Sequence, residues 1–177
     1  MVGHGPSYKD YEFIRKFEGD ILSVDATTPD LLANGIVPNY TLYSETHKSV
    51  WFNLNKFLPV KPEDLYITKK MKIVHRTRCR PVLMLKAGRL KMECILFDGF
   101  PSPDEKYPTQ AVGLYSICFA DMRLKPKEIH LIGFDYIGLD NSGNDMTEEW
   151  IMLTKHYLEI RNSGIPIIDH SGGAFPI

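Results

Sequence analysis

The sequence predicts an α/β protein, a Rossmann-like three-layer domain built around a mostly parallel sheet. Three observations carry this. Short, continuously apolar runs, of which EIHLIGFDYIG (128–138) is the strongest, alternate with longer stretches of helical period. Strands that are apolar on both faces belong to parallel sheets covered by helices. A glycine-rich turn, Gly3-His4-Gly5-Pro6-Ser7, leads into the first helical stretch, and aspartates recur where apolar runs end, at Asp25 and Asp135.

The elements follow in order. YKDYEFIRKF (8–17) puts Tyr11, Ile14 and Phe17 on one helical face, with Ser7 placed to cap its start. DILSVDA (20–26) is a short strand ending on Asp25. Thr28-Pro29 opens a helix that Asn34-Gly35 stops. YTLYSE (40–45) is a strand, HKSVWFNLNKF (47–57) a helix and DLYITKK (64–70) a further strand. The middle, 71–107, is the least regular part. Its β-leaning pieces around Ala87-Gly88 predict a hairpin or flap, a small β-rich basic insertion. TQAVGLYSICFADMRL (109–124) is apolar on every side, as a buried helix is. The strand 128–138, a helix over 147–164 with Thr147 as cap and Gly164 as stop, and a last strand, IPIIDHS (165–171), complete the chain.

With 177 residues, 44% hydrophobic and 24% charged, the composition fits one domain, 1–177, with a proper core. A net charge of −1 argues against nucleic acid and membrane as partners. No apolar run approaches the roughly 20 residues of a membrane span. Cys79, Cys94 and Cys118 form no metal or redox motif. An odd count without a secretory signal points to reduced thiols and a cytoplasmic protein. A homo-oligomer is compatible with all of this.

In an open parallel sheet, ligands bind outside the carboxyl ends of the strands. The residues expected there are Gly3, His4, Gly5, Pro6 and Ser7, Asp25, Ser44-Glu45, Asp135 and Asp169-His170-Ser171. Glycines 3 and 5 would let backbone approach a phosphate, and His4 could donate to it. Tyr8 stands where the dinucleotide pattern GxGxxG requires its third glycine, and a plain strand-to-helix turn is the competing reading. Asp135 would bind ribose, sugar or metal, or else cap a neighbouring loop. Asp25 has the same geometry, with amides 27 and 28 as its alternative partners. His170 is a candidate general base, because imidazole titrates near neutrality. His47, His75, His130 and His156 lack metal-ligand spacing and read as structural or surface residues; no metal site is expected.

Residues 69–91 hold nine basic residues and no acidic one. Arg76, Arg78 and Arg80 would share one face of a strand and offer guanidinium groups to a phosphate or carboxylate. The alternative is a solvated edge protected by lysines. Nucleic acid ranks below both, for want of a binding signature or aromatic interleaving.

GHGPS, then DATTPDLLANGIVPNYTLYSE, then QAVGLYSICFADMRLKPKEIHLIGFDY and the closing IPIIDHSGG resemble, in order and over nearly the whole chain, a family of Rossmann-like transferases. That family includes Campylobacter-type sialyltransferases, the motility accessory factor glycosyltransferases and MptE-like 6-hydroxymethylpterin diphosphokinases. The resemblance implies a nucleotide-activated donor, CMP-linked in the sialyltransferases. Phosphates would lie on Gly3–Ser7, with Asp25, Thr109, Gln110 and Asp135 fixing nucleotide or sugar, and Glu45 near donor or acceptor. The sequence departs from the family at named points. His4 replaces the asparagine of GNGPS, and Thr109-Gln110-Ala111 stands in place of TSG. The acidic cluster of the pterin kinases is reduced to Glu45. The sialyltransferases' general-base histidine has no counterpart between the GxD strand and the last strand. Three functions stay open: a sialyltransferase-like glycosyltransferase, a non-catalytic nucleotide-binding domain, and pterin diphosphokinase-like phosphoryl transfer.

Overall fold

A computed structural model describes residues 1–24, 27–43, 69–76, 91–98, 112–135 and 147–171. After a 3-10 turn over Pro6–Lys9 come α1 (Tyr11–Lys16), β1 (Leu22–Val24), α2 (Thr27–Ala33), β2 (Tyr40–Tyr43), β3 (Lys72–His75) and β4 (Glu93–Leu96). Then follow α3 (Val112–Phe119), which runs on as a π-helical turn over Ala120–Leu124, β5 (Ile129–Leu131), α4 (Thr147–Ile160) and β6 (Ile167–Asp169).

Every described strand pair is parallel. The strands β1-β2-β3-β4 form one ladder and β5-β6 another. Val2 joins them, bridging Ser23 on one side and Ile132 on the other. The segment before the glycine turn therefore fills the central strand position with a single paired residue. The order across the sheet is β4-β3-β2-β1-Val2-β5-β6. This is the Rossmann-like α/β fold expected from the sequence.

Side chains alternate across the strands and so build a core on each face. On one, Leu22, Val24, Leu42, Ile129 and Leu131 pack with Leu114, Ile117 and Phe119 of α3 and with Leu153 and Tyr157 of α4. On the other, Val2 and Ile132 pack with Tyr8, Ile14 of α1 and Leu31 of α2. Residues 114–121 are buried without interruption, which explains a helix with no polar face.

Several expectations are corrected. The stretch 71–107 contains β3 and β4, which pair parallel in register, Lys72 with Glu93 through His75 with Leu96. Parallel neighbours require a long crossover, so these two strands continue the main sheet, while the hairpin or flap expected around Ala87-Gly88 lies outside the described residues. Ser7 does not cap α1. Asp10 does, its carboxylate accepting from Phe13 N at 3.0 Å. Among the described residues of the strand expected over 128–138, pairing runs through Ile129–Leu131 and Ile132, where Gly133 at φ +76 turns the chain out of the ladder; 136–138 lie outside the described residues. Helix α4 ends at Ile160, so Gly164 (φ +63) belongs to the connection to β6 rather than to a cap. The helix expected over 47–57 and most of the strand over 64–70 lie outside the described residues.

Candidate functional site at the switch point of the sheet

From Val2 the chain winds outward through β1 to β4, and after α3 it returns to place β5 on the other side of Val2. The winding direction thus reverses between Val2 and β5. In open α/β sheets that reversal opens a crevice at the carboxyl ends of the two strands. Here that position carries the turn Gly3–Ser7 and the turn Gly133–Asp135.

The two turns are interlocked. Gly3 N donates to Ile132 O at 2.8 Å and Gly5 N to Gly133 O at 2.7 Å. Gly133 N donates to Ser7 Oγ at 2.8 Å, and that hydroxyl donates to Asp135 Oδ2 at 2.8 Å. The Ser7 amide donates to the same oxygen at 3.1 Å. Asp135 is buried, and both bonds fall on Oδ2. The glycines are needed for contact with the chain itself. A Cβ on Gly3 would stand 2.3 Å from Gly133 O, and one on Gly5 would stand 2.2 Å from Asp135 Oδ2. The expected reason for Gly5, room for a ligand against bare backbone, is thus joined by a nearer one, room for the Asp135 carboxylate.

Around this clasp, Tyr8 anchors the turn to α2 through its hydroxyl on Asp30 Oδ2. Burial, then the Asp30 bond, pushes the Tyr8 phenol well above its ordinary range, so it remains a donor. His4 is exposed and stacks on the Tyr8 ring at 5.4 Å. Ser171 Oγ accepts from Phe134 N at 2.9 Å, tying the end of β6 to the Asp135 turn. Behind the crevice, Thr27 Oγ1 donates to Val24 O at 2.6 Å and reaches Val2 O at 3.3 Å. Ser23, Thr28 and Thr41 form a buried hydroxyl chain at 2.7 and 2.6 Å. The sequence reading passed over these threonines. Their signal was the pair Thr27-Thr28 directly after a strand that ends on Asp25, where hydroxyls can serve strand-end carbonyls.

Of the sequence-predicted site residues, the fold brings Gly3, His4, Gly5, Pro6, Ser7 and Asp135 together. His170 lies at the same sheet edge, directly after β6, but its ring turns onto the α1 face and packs on Phe13 at 4.6 Å. Arg76 directly follows β3 and sets its guanidinium over the Tyr115 ring of α3, 4.3 Å from the centroid. Arg78 and Arg80, expected to share its face, lie outside the described residues. So do Asp25, Glu45, Thr109 and Gln110. The strands preceding Asp25 and Glu45 run parallel to Val2. Among the described residues no three His, Cys, Asp or Glu side chains gather as metal ligands. Among them, too, no helix is long and apolar enough to cross a membrane.

The fold defines a Rossmann-like α/β domain whose sheet changes winding direction between Val2 and β5. No protein-family model matches the chain, and no curated protein matches it by sequence. Among solved structures it is similar to the MAf glycosyltransferase of Magnetospirillum magneticum AMB-1, with a TM-score of 0.66 and 18% identity over 99% of this chain. The chain spans about a third (33%) of that protein's length.

Proposed function

We propose that this chain is the donor-binding domain of a glycosyltransferase-like protein, holding a nucleotide-activated sugar in the crevice between Gly3–Ser7 and Gly133–Asp135. What carries the reading is the crevice itself. A buried carboxylate, Asp135, sits at the switch point beneath two glycine turns, in a fold similar to that of a glycosyltransferase. Asp135 Oδ1, which no described donor reaches, would accept from a ribose or sugar hydroxyl, and exposed His4 would donate to the phosphate. The resemblance of GHGPS and IHLIGFD to sialyltransferase motifs makes a CMP-linked donor the first choice. Arg76, Arg78 and Arg80 are the candidates for an anionic donor or acceptor, in a cytoplasmic setting.

A second reading has its own observation. The amides of Gly3, Gly5 and Ser7 already serve Ile132, Gly133 and Asp135, so the turn is internally satisfied and could be a retained scaffold without chemistry. Pterin diphosphokinase-like phosphoryl transfer ranks below both. Thermal-shift measurements with CMP, CMP-sialic acid, UDP-sugars, GTP, ATP and NAD separate the readings. A ligand at 100 times its Kd adds ~2.7 kcal/mol of stability. In a domain of this size that is a rise in Tm of about 5–10 °C. CMP-sialic acid or another nucleotide sugar is expected to give that rise, with free nucleotide giving less. Preference for GTP or ATP would favour phosphoryl transfer, and no shift with any of them would remove the donor-binding reading.

A further inference from the structure

Beyond the crevice, the described residues hold one connected set of titratable side chains that the clasp does not use. Parallel pairing of β5 with β6 sets Ile168 opposite His130 and brings His170, forty residues later in the chain, alongside it. His130 Nδ1 lies 2.9 Å from His170 Nε2, and His130 Nε2 lies 2.8 Å from Glu128 Oε1. The ring centroids are 5.2 Å apart and the planes differ by 6°. The excess of the centroid distance over the N···N distance is what two ring radii account for. The imidazoles therefore lie end to end in one plane, joined by a straight N–H···N bond, and are not stacked face to face.

That geometry fixes the protons. A neutral imidazole has one donor and one acceptor nitrogen. Glu128 can only accept while ionised, so His130 donates through Nε2 and accepts through Nδ1. His170 must then carry its proton on Nε2, leaving a lone pair on Nδ1. Phe13 of α1 and Phe17, directly after it, cover the pair with apolar rings. The other titratable groups near it are Asp169 of β6, Asp20 from the stretch between α1 and β1, and the amino group of Met1, which burial pushes down to about 5.

We infer that Glu128, His130 and His170 form a proton relay in which His170 Nδ1 takes up a proton and His130, steadied by Glu128, carries the resulting charge. The source of the proton rests on the donor-binding reading above: the hydroxyl of an acceptor. Its proton moves to His170 Nδ1, the Nε2 proton of His170 crosses to His130 Nδ1, and the His130 imidazolium donates to Glu128. The hydroxyl oxygen keeps the electron pair of its O–H bond and bonds to the anomeric carbon. The bond from that carbon to the nucleotide phosphate breaks, and its electrons leave with the nucleotide. His170 is the base; His130 and Glu128 are positioning residues. A second proton is opposed, because it would set two N–H groups against each other at the joint.

Nitrogen-15 NMR of the imidazoles tests this in the whole chain, without substrate. Above the ordinary imidazole range of about 6.5, His170 is expected to be protonated on Nε2 and bare on Nδ1, and His130 protonated on Nε2. As the pH falls, the pair is expected to take up one proton well before the second. His130→Phe is expected to raise the titration of His170 by removing the neighbouring charge, with burial still holding it below its ordinary range. Glu128→Gln is expected to release the fixed tautomer of both rings; Glu128 is 54% exposed, so this variant folds even if His130→Phe does not. Burial, then His130, holds His170 below its ordinary range in the fold. The unfolded chain thus binds the proton more readily, and stability should fall as pH drops below that range, a slope that His170→Gln removes. A proton on His170 Nδ1 at high pH, or tautomers unchanged in Glu128→Gln, would overturn the relay. Loss of nucleotide binding would sink the donor reading and leave these tautomers as they are.

Discussion

Gly133→Ala is expected to destabilise the protein by about 2–5 kcal/mol, a large share of a typical domain's stability. Two costs add. The residue sits at φ +76, where an L side chain is strained by roughly 1–2 kcal/mol. The new Cβ would also stand 2.6 Å from Gly3 O and 2.8 Å from Tyr8 Cβ, so the two turns of the crevice must separate. Overpacking of this kind costs about 1–3 kcal/mol, and here the obstacle is backbone that cannot rotate away. The control is Gly35→Ala. That glycine has φ +73 with nothing within 4 Å of the added Cβ, so only the conformational cost remains. Denaturant unfolding of both variants checks the claim. Equal losses for the two would show that the interlock between the turns contributes little.

The second large effect lies at the opposite end of α3. Asp121 is 4% exposed on the π-helical turn. Its carboxylate accepts from the Tyr157 hydroxyl at 2.7 Å and from Ser163 Oγ, with the Arg161 guanidinium at 3.6 Å. Burial, then the neighbouring Cys118, pushes the Tyr157 phenol far above its ordinary range; burial pushes the Cys118 thiol to about 12. Asp121 is thus the counter-charge that α3 supplies to the partly buried Arg161 beyond α4. Asp121→Ala is expected to cost about 3–5 kcal/mol, because it removes the counter-charge of the partly buried Arg161 guanidinium. Replacing all three, Asp121→Leu with Tyr157→Phe and Arg161→Met, is expected to recover most of that loss. Thermal melts of the single and triple variants decide; a triple variant as unstable as Asp121→Ala would locate the cost in packing rather than in charge.

The pattern of the sequence made the sheet and its crevice legible because both rest on local signals. An apolar run that stops at a glycine or an aspartate marks a strand end, and GHGPS and GFD are the two that meet. Strand lengths were over-read, since apolar character continues through Phe134 while pairing stops where Gly133 turns the chain. The hairpin or flap expected around Ala87-Gly88 lies outside the described residues, and the pairing of β3 with β4 was not legible for a non-local reason. Whether KIVH and ECIL pair with each other in parallel or antiparallel sense depends on the path between them, which no periodicity reports. Capping was misplaced by three residues because Ser7 and Asp10 are both competent caps, and Ser7 is held instead by Asp135, 128 residues away. The same distance effect hid His130. It looked like a scattered histidine until the β5–β6 register set it against His170.

The most direct measurement is amide-resolved NMR titration of the chain with CMP-sialic acid and UDP-sugars. Saturable shifts concentrated in Gly3–Ser7 and Gly133–Asp135, and a weaker affinity in Asp135→Asn, are the expected result. Saturable binding that leaves those amides unmoved, or no binding of any nucleotide sugar, would contradict a donor site at the switch point.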